Sequence, residues 1–204
     1  MNLLKPNQIL TFNIERVCSP GLSRWRFGYI TTEAPWTKSG WHGWLYGWKL
    51  RLVTTVATVW IPLAEHLTPA NVADNEEAPS LLEMLPSNVR FVLGDTHYND
   101  PELRQMCDSQ GRFLVATKRG KYPLADDGVE VRRIFHQLHS RAIENFNVQF
   151  RAIFGCLGQA PTKGLIPASR FALGAVSVYQ LSLLHRFENE ANLRVGLKPH
   201  LQAA

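Results

Sequence analysis

The sequence predicts one α/β domain built on a mixed sheet. Three observations lead there. The segments alternate in the order strand, strand, helix, strand, helix, strand, long helix, helix. The strand segments are short and β-branched, whereas the helical ones are longer and periodic. The chain has 204 residues, 45% hydrophobic and 19% charged, enough for one packed core with little left for a second.

Residues 1–40 are interrupted by Pro6, Pro20 and Pro35 and by Gly21, Gly28 and Gly40, with no sustained period. Only Phe27–Thr31 is expected there as a strand. In the tract WTKSGWHGWLYGW that follows, Trp36, Trp41, Trp44 and Trp48 stand close together. Aromatic residues beside glycines can stack bases; more often such tryptophans pack in a core.

Lys49–Val56 alternates polar and apolar residues and reads as a strand, with Thr58–Leu67 as its hairpin neighbour. A helix follows to about Leu85, capped by Asn71 or Asp74, with acidic residues at its positive end and Pro86 as its stop. Arg90–Leu93 is a short apolar strand ending at Gly94 and Asp95. Asp100 caps the next helix, Pro101 opens it and Gly111 ends it. Phe113–Thr117 is a further strand, followed by the basic loop KRGKYPLADDG. A long helix is expected from about Val129 to Leu157, because Ile134, Leu138, Ile143, Phe146, Phe150, Ile153 and Leu157 recur at helical spacing. A last helix covers about Ser169–Phe187.

Composition excludes a disordered acidic tail, a collagen repeat and a small disulfide scaffold. Cys18, Cys107 and Cys156 are far apart and form no CxxC or Cys/His ligand spacing, which fits a reducing cytoplasm. The N-terminal residues show no signal-peptide pattern. The apolar stretch Phe171–Leu184 is too short and, with Ser177, Gln180 and Ser182, too polar to span a bilayer. No membrane partner is expected.

The net charge of +5 is unevenly placed. Residues 1–103 carry 8 basic and 10 acidic side chains, and residues 104–204 carry 14 and 7. A cationic second half suits a polyanion such as nucleic acid, or is simply a solubilising surface.

Asp95 is the first candidate for chemistry. Functional groups gather at the carboxyl ends of strands in open α/β sheets, where a carboxylate can hold a divalent cation. Asp95 can equally cap the turn THYND. Glu144 is the second, at the border of the apolar face of the long helix, with Arg141 three residues before it and Arg151 seven after. This pattern is either a salt-bridged stripe or a metal ligand among phosphate-binding arginines. His97, Asp100 and His136 lie near these two in sequence. No G-x-S-x-G, G-x-G-x-x-G or P-loop motif occurs.

The ordered motifs YGWKLRLV, PLAEHLTPANVADNEEA, FVLGDTHYNDPELRQ, RFLVATKRGKYP and AIENFNVQFRAIFG resemble the catalytic domain of DDE transposases from bacterial insertion sequences. The resemblance runs over residues 36–187, leaving a divergent segment 1–35 and a tail 188–204. It implies a ribonuclease-H-like fold, a DNA partner at transposon ends, and two Mg²⁺ (or Mn²⁺) ions about 3.5–4 Å apart held by three carboxylates. It further implies that Asp95 and Glu144 are catalytic and metal-ligating. The cations that would meet DNA are Lys118, Arg119, Lys121, Arg132, Arg133, Arg141 and Arg151. The family's usual Tyr and Arg, seven and four residues before the glutamate, are here Gln137 and Ser140, and its usual lysine is Arg151.

The resemblance also requires an aspartate on a first strand. Residues 1–50 contain none; their acids are Glu15 and Glu33. The expectation is therefore a truncated copy, its first strand missing or replaced, which holds metal weakly and is inactive as an enzyme. Such a chain would act in the bacterial cytoplasm, at the nucleoid when bound to DNA, with a homodimer as one expected form. The alternatives are a DNA-binding protein without catalysis and a poorly folding transposon remnant.

Overall fold

The structure is a computed structural model and describes residues 8–18, 34–39, 43–56, 59–116, 137–138, 146–150 and 164–193. The described strands are β1 (Gln8–Cys18), β2 (Trp36–Ser39), β3 (Gly43–Thr55), β4 (Pro62–Pro69), β5 (Val89–Gly94) and β6 (Phe113–Ala116). The described helices are α1 (Asp74–Glu83), α2 (Pro101–Ser109) and α3 (Leu165–Glu188), with a 3-10 turn at Thr96–Tyr98. The strands are hydrogen-bonded in the order β2-β3-β1-β5-β6, and β4 also pairs with β3. Pairing is parallel for β1–β5 and β5–β6 and antiparallel for β2–β3, so the sheet is mixed, as the sequence predicts.

β1 is a strand in residues that the sequence reading leaves without one. A sequence signal for it exists: Leu10, Phe12 and Ile14 alternate with Thr11, Asn13 and Glu15. The surrounding prolines and glycines obscure it. The expected strand Phe27–Thr31 lies outside the described residues.

The chain divides into two compact units. The first holds residues 1–13, 53–64 and 73–146. In it β1, β5 and β6 lie side by side in parallel, with α1 and α2 packed nearby. Ala78, Leu81 and Leu82 of α1, Leu103 and Cys107 of α2, and Val92 of β5 form its core. The α1 N-cap is Ala73, not Asn71 or Asp74, and Glu76 Oε2 accepts the Ala73 N–H at 3.4 Å. The helix ends before Pro86, its C-cap being Met84.

Buried Arg112 secures the far end of α1. It donates to the carbonyls of Leu82 (2.7 Å), Leu85 (2.9 Å) and Pro86 (3.3 Å), at and just beyond the helix end. Gly111 precedes it at φ +67°, a conformation open to glycine, and tightens the turn from α2 into β6. Burial pushes the Cys107 thiol up to about 11, so this cysteine behaves as a small core residue.

The second unit holds residues 14–52, 65–72 and 147–204. β3 dominates it. Trp48, Leu50, Arg51 and Leu52 are all buried, the mark of a strand covered on both faces. Arg51 and Lys49 both donate to the Val72 carbonyl, at 2.7 and 3.4 Å, fastening the segment after β4. Trp48 is core, as the packing reading of the tryptophan tract expects, whereas Trp36 and Trp44 are exposed. Trp36 meets Tyr46 across the β2–β3 pair with ring centres 5.3 Å apart. On α3, Tyr179 packs against Phe150, and burial raises its hydroxyl pKa.

α3 begins earlier than expected, at Leu165. Of the long helix predicted over 129–157, residues 137–138 and 146–150 are described, and they are helical. No described helix is long and apolar enough to cross a membrane.

Candidate functional site at the carboxyl end of β5

The site grows from a run of local signals. β5 is apolar, with Val92 and Leu93 buried, and it ends at Gly94. A Cβ on Gly94 would lie 2.6 Å from Tyr98 Cβ, closer than two carbons pack. Glycine here lets buried Tyr98 fold back against the strand end. Asp95 follows in extended backbone, φ −71° and ψ −172°. Its Oδ1 accepts the His97 N–H at 2.8 Å and lies 3.2 Å from His97 Nδ1. Asp95 therefore does cap the turn. Its side chain is also 45% exposed at the carboxyl end of a parallel strand, so the two sequence readings are compatible.

The next caps hold this crest in place. Asp100 Oδ1 accepts the N–H groups of Glu102 (2.8 Å) and Leu103 (3.2 Å), and Pro101 opens α2, as the sequence predicts. Arg104, which sequence reasoning does not single out, ties three segments together. Its Nη2 donates to Asn99 Oδ1 at 2.6 Å and to the Ala116 carbonyl at 3.2 Å, and its Nη1 to the Leu114 carbonyl at 3.0 Å. The end of β6 is thus fixed beside the turn that carries Asp95.

Of the residues the sequence nominates, the structure describes Asp95, His97 and Asp100. His97 is engaged with Asp95, and Asp100 serves as a helix cap. Glu144, His136, Lys118, Arg119, Lys121, Arg132, Arg133, Arg141 and Arg151 lie outside the described residues.

The metal chemistry expected of the fold can be tested on the donor set. Among the described residues no three His, Cys, Asp or Glu side chains gather into a group able to hold an ion. The crest of β5 presents one carboxylate, and one of its oxygens already accepts a backbone N–H. A pair of hard cations needs several charged oxygens. Among the described residues the crest supplies one of the carboxylates that a two-ion centre needs.

A transposase DDE domain family model matches residues 16–154, more than half of the chain. No curated protein matches it. Among solved structures it is similar to a piggyBac transposase in a synaptic complex with hairpin DNA. That likeness has 14% identity and a TM-score of 0.34, and covers 62% of this chain and 26% of that one. It is also similar to the catalytic core domain of BIV integrase, at 8% identity and a TM-score of 0.37, covering 85% of this chain and 82% of that one. Both scores lie below 0.5, so the assignment rests on the family match. The mixed sheet, the strand ending in Asp95 and the match over residues 16–154 agree: the chain belongs to the transposase DDE domain family.

Proposed function

We propose that this chain acts in DNA transposition by binding DNA without cutting it. The observation that carries this reading is the family match over residues 16–154, coupled to a strand crest with a single described carboxylate. In this reading Lys118, Arg119, Lys121, Arg132, Arg133, Arg141 and Arg151 meet the phosphate backbone at a transposon end. The excess of 14 basic over 7 acidic residues in 104–204 supports that placement. Arginine and lysine there would bind in proportion to the counterions they release. Asp95 positions the turn through His97, and Glu144 serves as a charged neighbour of Arg141 and Arg151. Weak capture of a single Mg²⁺ or Mn²⁺ by Asp95 and Glu144 belongs to the same proposal. So do homodimer formation on paired ends and action at the bacterial nucleoid.

Fluorescence anisotropy of a labelled duplex across a salt series tests the DNA reading. We expect affinity to fall steeply with salt. Replacing Lys118, Arg119 and Lys121 together by alanine should lower the logarithmic salt slope by about 2–3. Salt-insensitive binding, or none, would sink the reading.

A further inference from the structure

Parallel register places a specific residue beside Asp95. In the β1–β5 pair Ile9 is level with Phe91, Leu10 with Val92 and Thr11 with Leu93. β5 continues to Gly94, and Asp95 is still in extended backbone. β1 continues without a break to Cys18. Carried two steps beyond Thr11↔Leu93, the same register would bring Asn13 level with Asp95. Both residues belong to the same compact unit. The family match begins at residue 16, so this placement rests on strand pairing and not on the family.

We propose that Asn13 holds the one position on the neighbouring strand from which a second carboxylate could share a divalent cation with Asp95, and that an amide at this position is what keeps the crest from retaining an ion. Adjacent strands lie about 4.7–4.9 Å apart, a spacing at which residues at level positions can share one cation. The β5–β6 register runs from Phe91↔Phe113 to Gly94↔Ala116. Hard divalent cations are held by the charge as well as the number of their oxygen ligands, and an amide supplies an oxygen without charge. The sequence expectation places the loss of the first ligand in a first strand that is missing or replaced. The register places it in a single residue of a strand that is present.

The test is Mn²⁺ titration of the full chain, with free Mn²⁺ counted by electron paramagnetic resonance. Three proteins are compared: wild type, Asn13→Asp, and Asn13→Asp combined with Asp95→Asn. The proposal predicts at least tenfold tighter Mn²⁺ binding in Asn13→Asp than in wild type, and loss of that gain in the double variant. Equal binding by wild type and Asn13→Asp, or a gain that survives removal of Asp95, overturns it. If two adjacent carboxylates prevent folding, an uncharged pair reads the same geometry. Asn13→Cys with Asp95→Cys should form a disulfide under mild oxidation, identified by mass spectrometry as a 13–95 cross-linked peptide. Level residues on neighbouring strands fall within disulfide reach. A cross-link formed by Asn13→Cys with Val92→Cys, but not by Asn13→Cys with Asp95→Cys, contradicts the register.

Discussion

β5 and β1 run side by side in the same direction, yet they differ in almost everything that makes a strand readable. β5 is punctuated at both ends. Pro86 precedes it, Gly94 closes it, and Asp95 and Asp100 cap the turn and helix that follow. β1 is flanked by Pro6 and by Pro20 and Gly21, but its 11 residues lead into no turn or helix cap among the described residues. β5 leads into the carboxylate of Asp95, and the proposed continuation of the β1–β5 register beyond Thr11↔Leu93 sets the Asn13 amide against it. Local signals therefore reveal where β5 ends. That β1 is its neighbour is revealed only by pairing, which is non-local.

The largest expected effect tests the β5 side of this comparison. Gly94→Ala forces a Cβ to within 2.6 Å of Tyr98 Cβ. Neither atom is the free end of a flexible chain, so the turn must shift. Thermal unfolding should show a loss of about 2–3 kcal/mol, as for overpacked cores. An unchanged melting temperature would mean that the close approach of turn and strand end does not exist. Asp100→Ala should cost less, about 1 kcal/mol, because it removes a cap shared by two N–H groups and leaves the strand intact. Denaturant unfolding would measure it, and a loss above that of Gly94→Ala would reverse the ranking of strand end over helix cap.

The same contrast explains how much is legible in advance. The α2 cap, the ends of β5 and β6 and the pairing of β4 with β3 follow from residues adjacent in sequence: Asp100 before Pro101, Gly94 after Leu93, and the short link after β3. The N-cap of α1 falls between the two expected positions, because Glu76 reaches back to the Ala73 N–H in place of a side chain at Asn71 or Asp74. β3 is longer than its alternating core, since Gly43–Trp48 extends it by pairing with β2. Arg104 and Arg112 are invisible as structural ties, because each serves carbonyls 10 to 30 residues away. Asp95 is legible as a candidate from its strand end alone. Asn13 is not, because nothing in its own sequence context marks it as the partner of a residue 82 positions on.

The functional reading follows from that difference. The chain belongs to the transposase DDE domain family, and the proposed register would set the Asp95 carboxylate of one parallel strand beside the Asn13 amide of the next. The most direct test is incubation of the wild-type chain with an end-labelled duplex in millimolar Mg²⁺, with binding and strand cleavage followed on the same sample. The proposal predicts a bound duplex that stays intact. Metal-dependent cutting by the wild-type chain, abolished by Asp95→Asn, would contradict it.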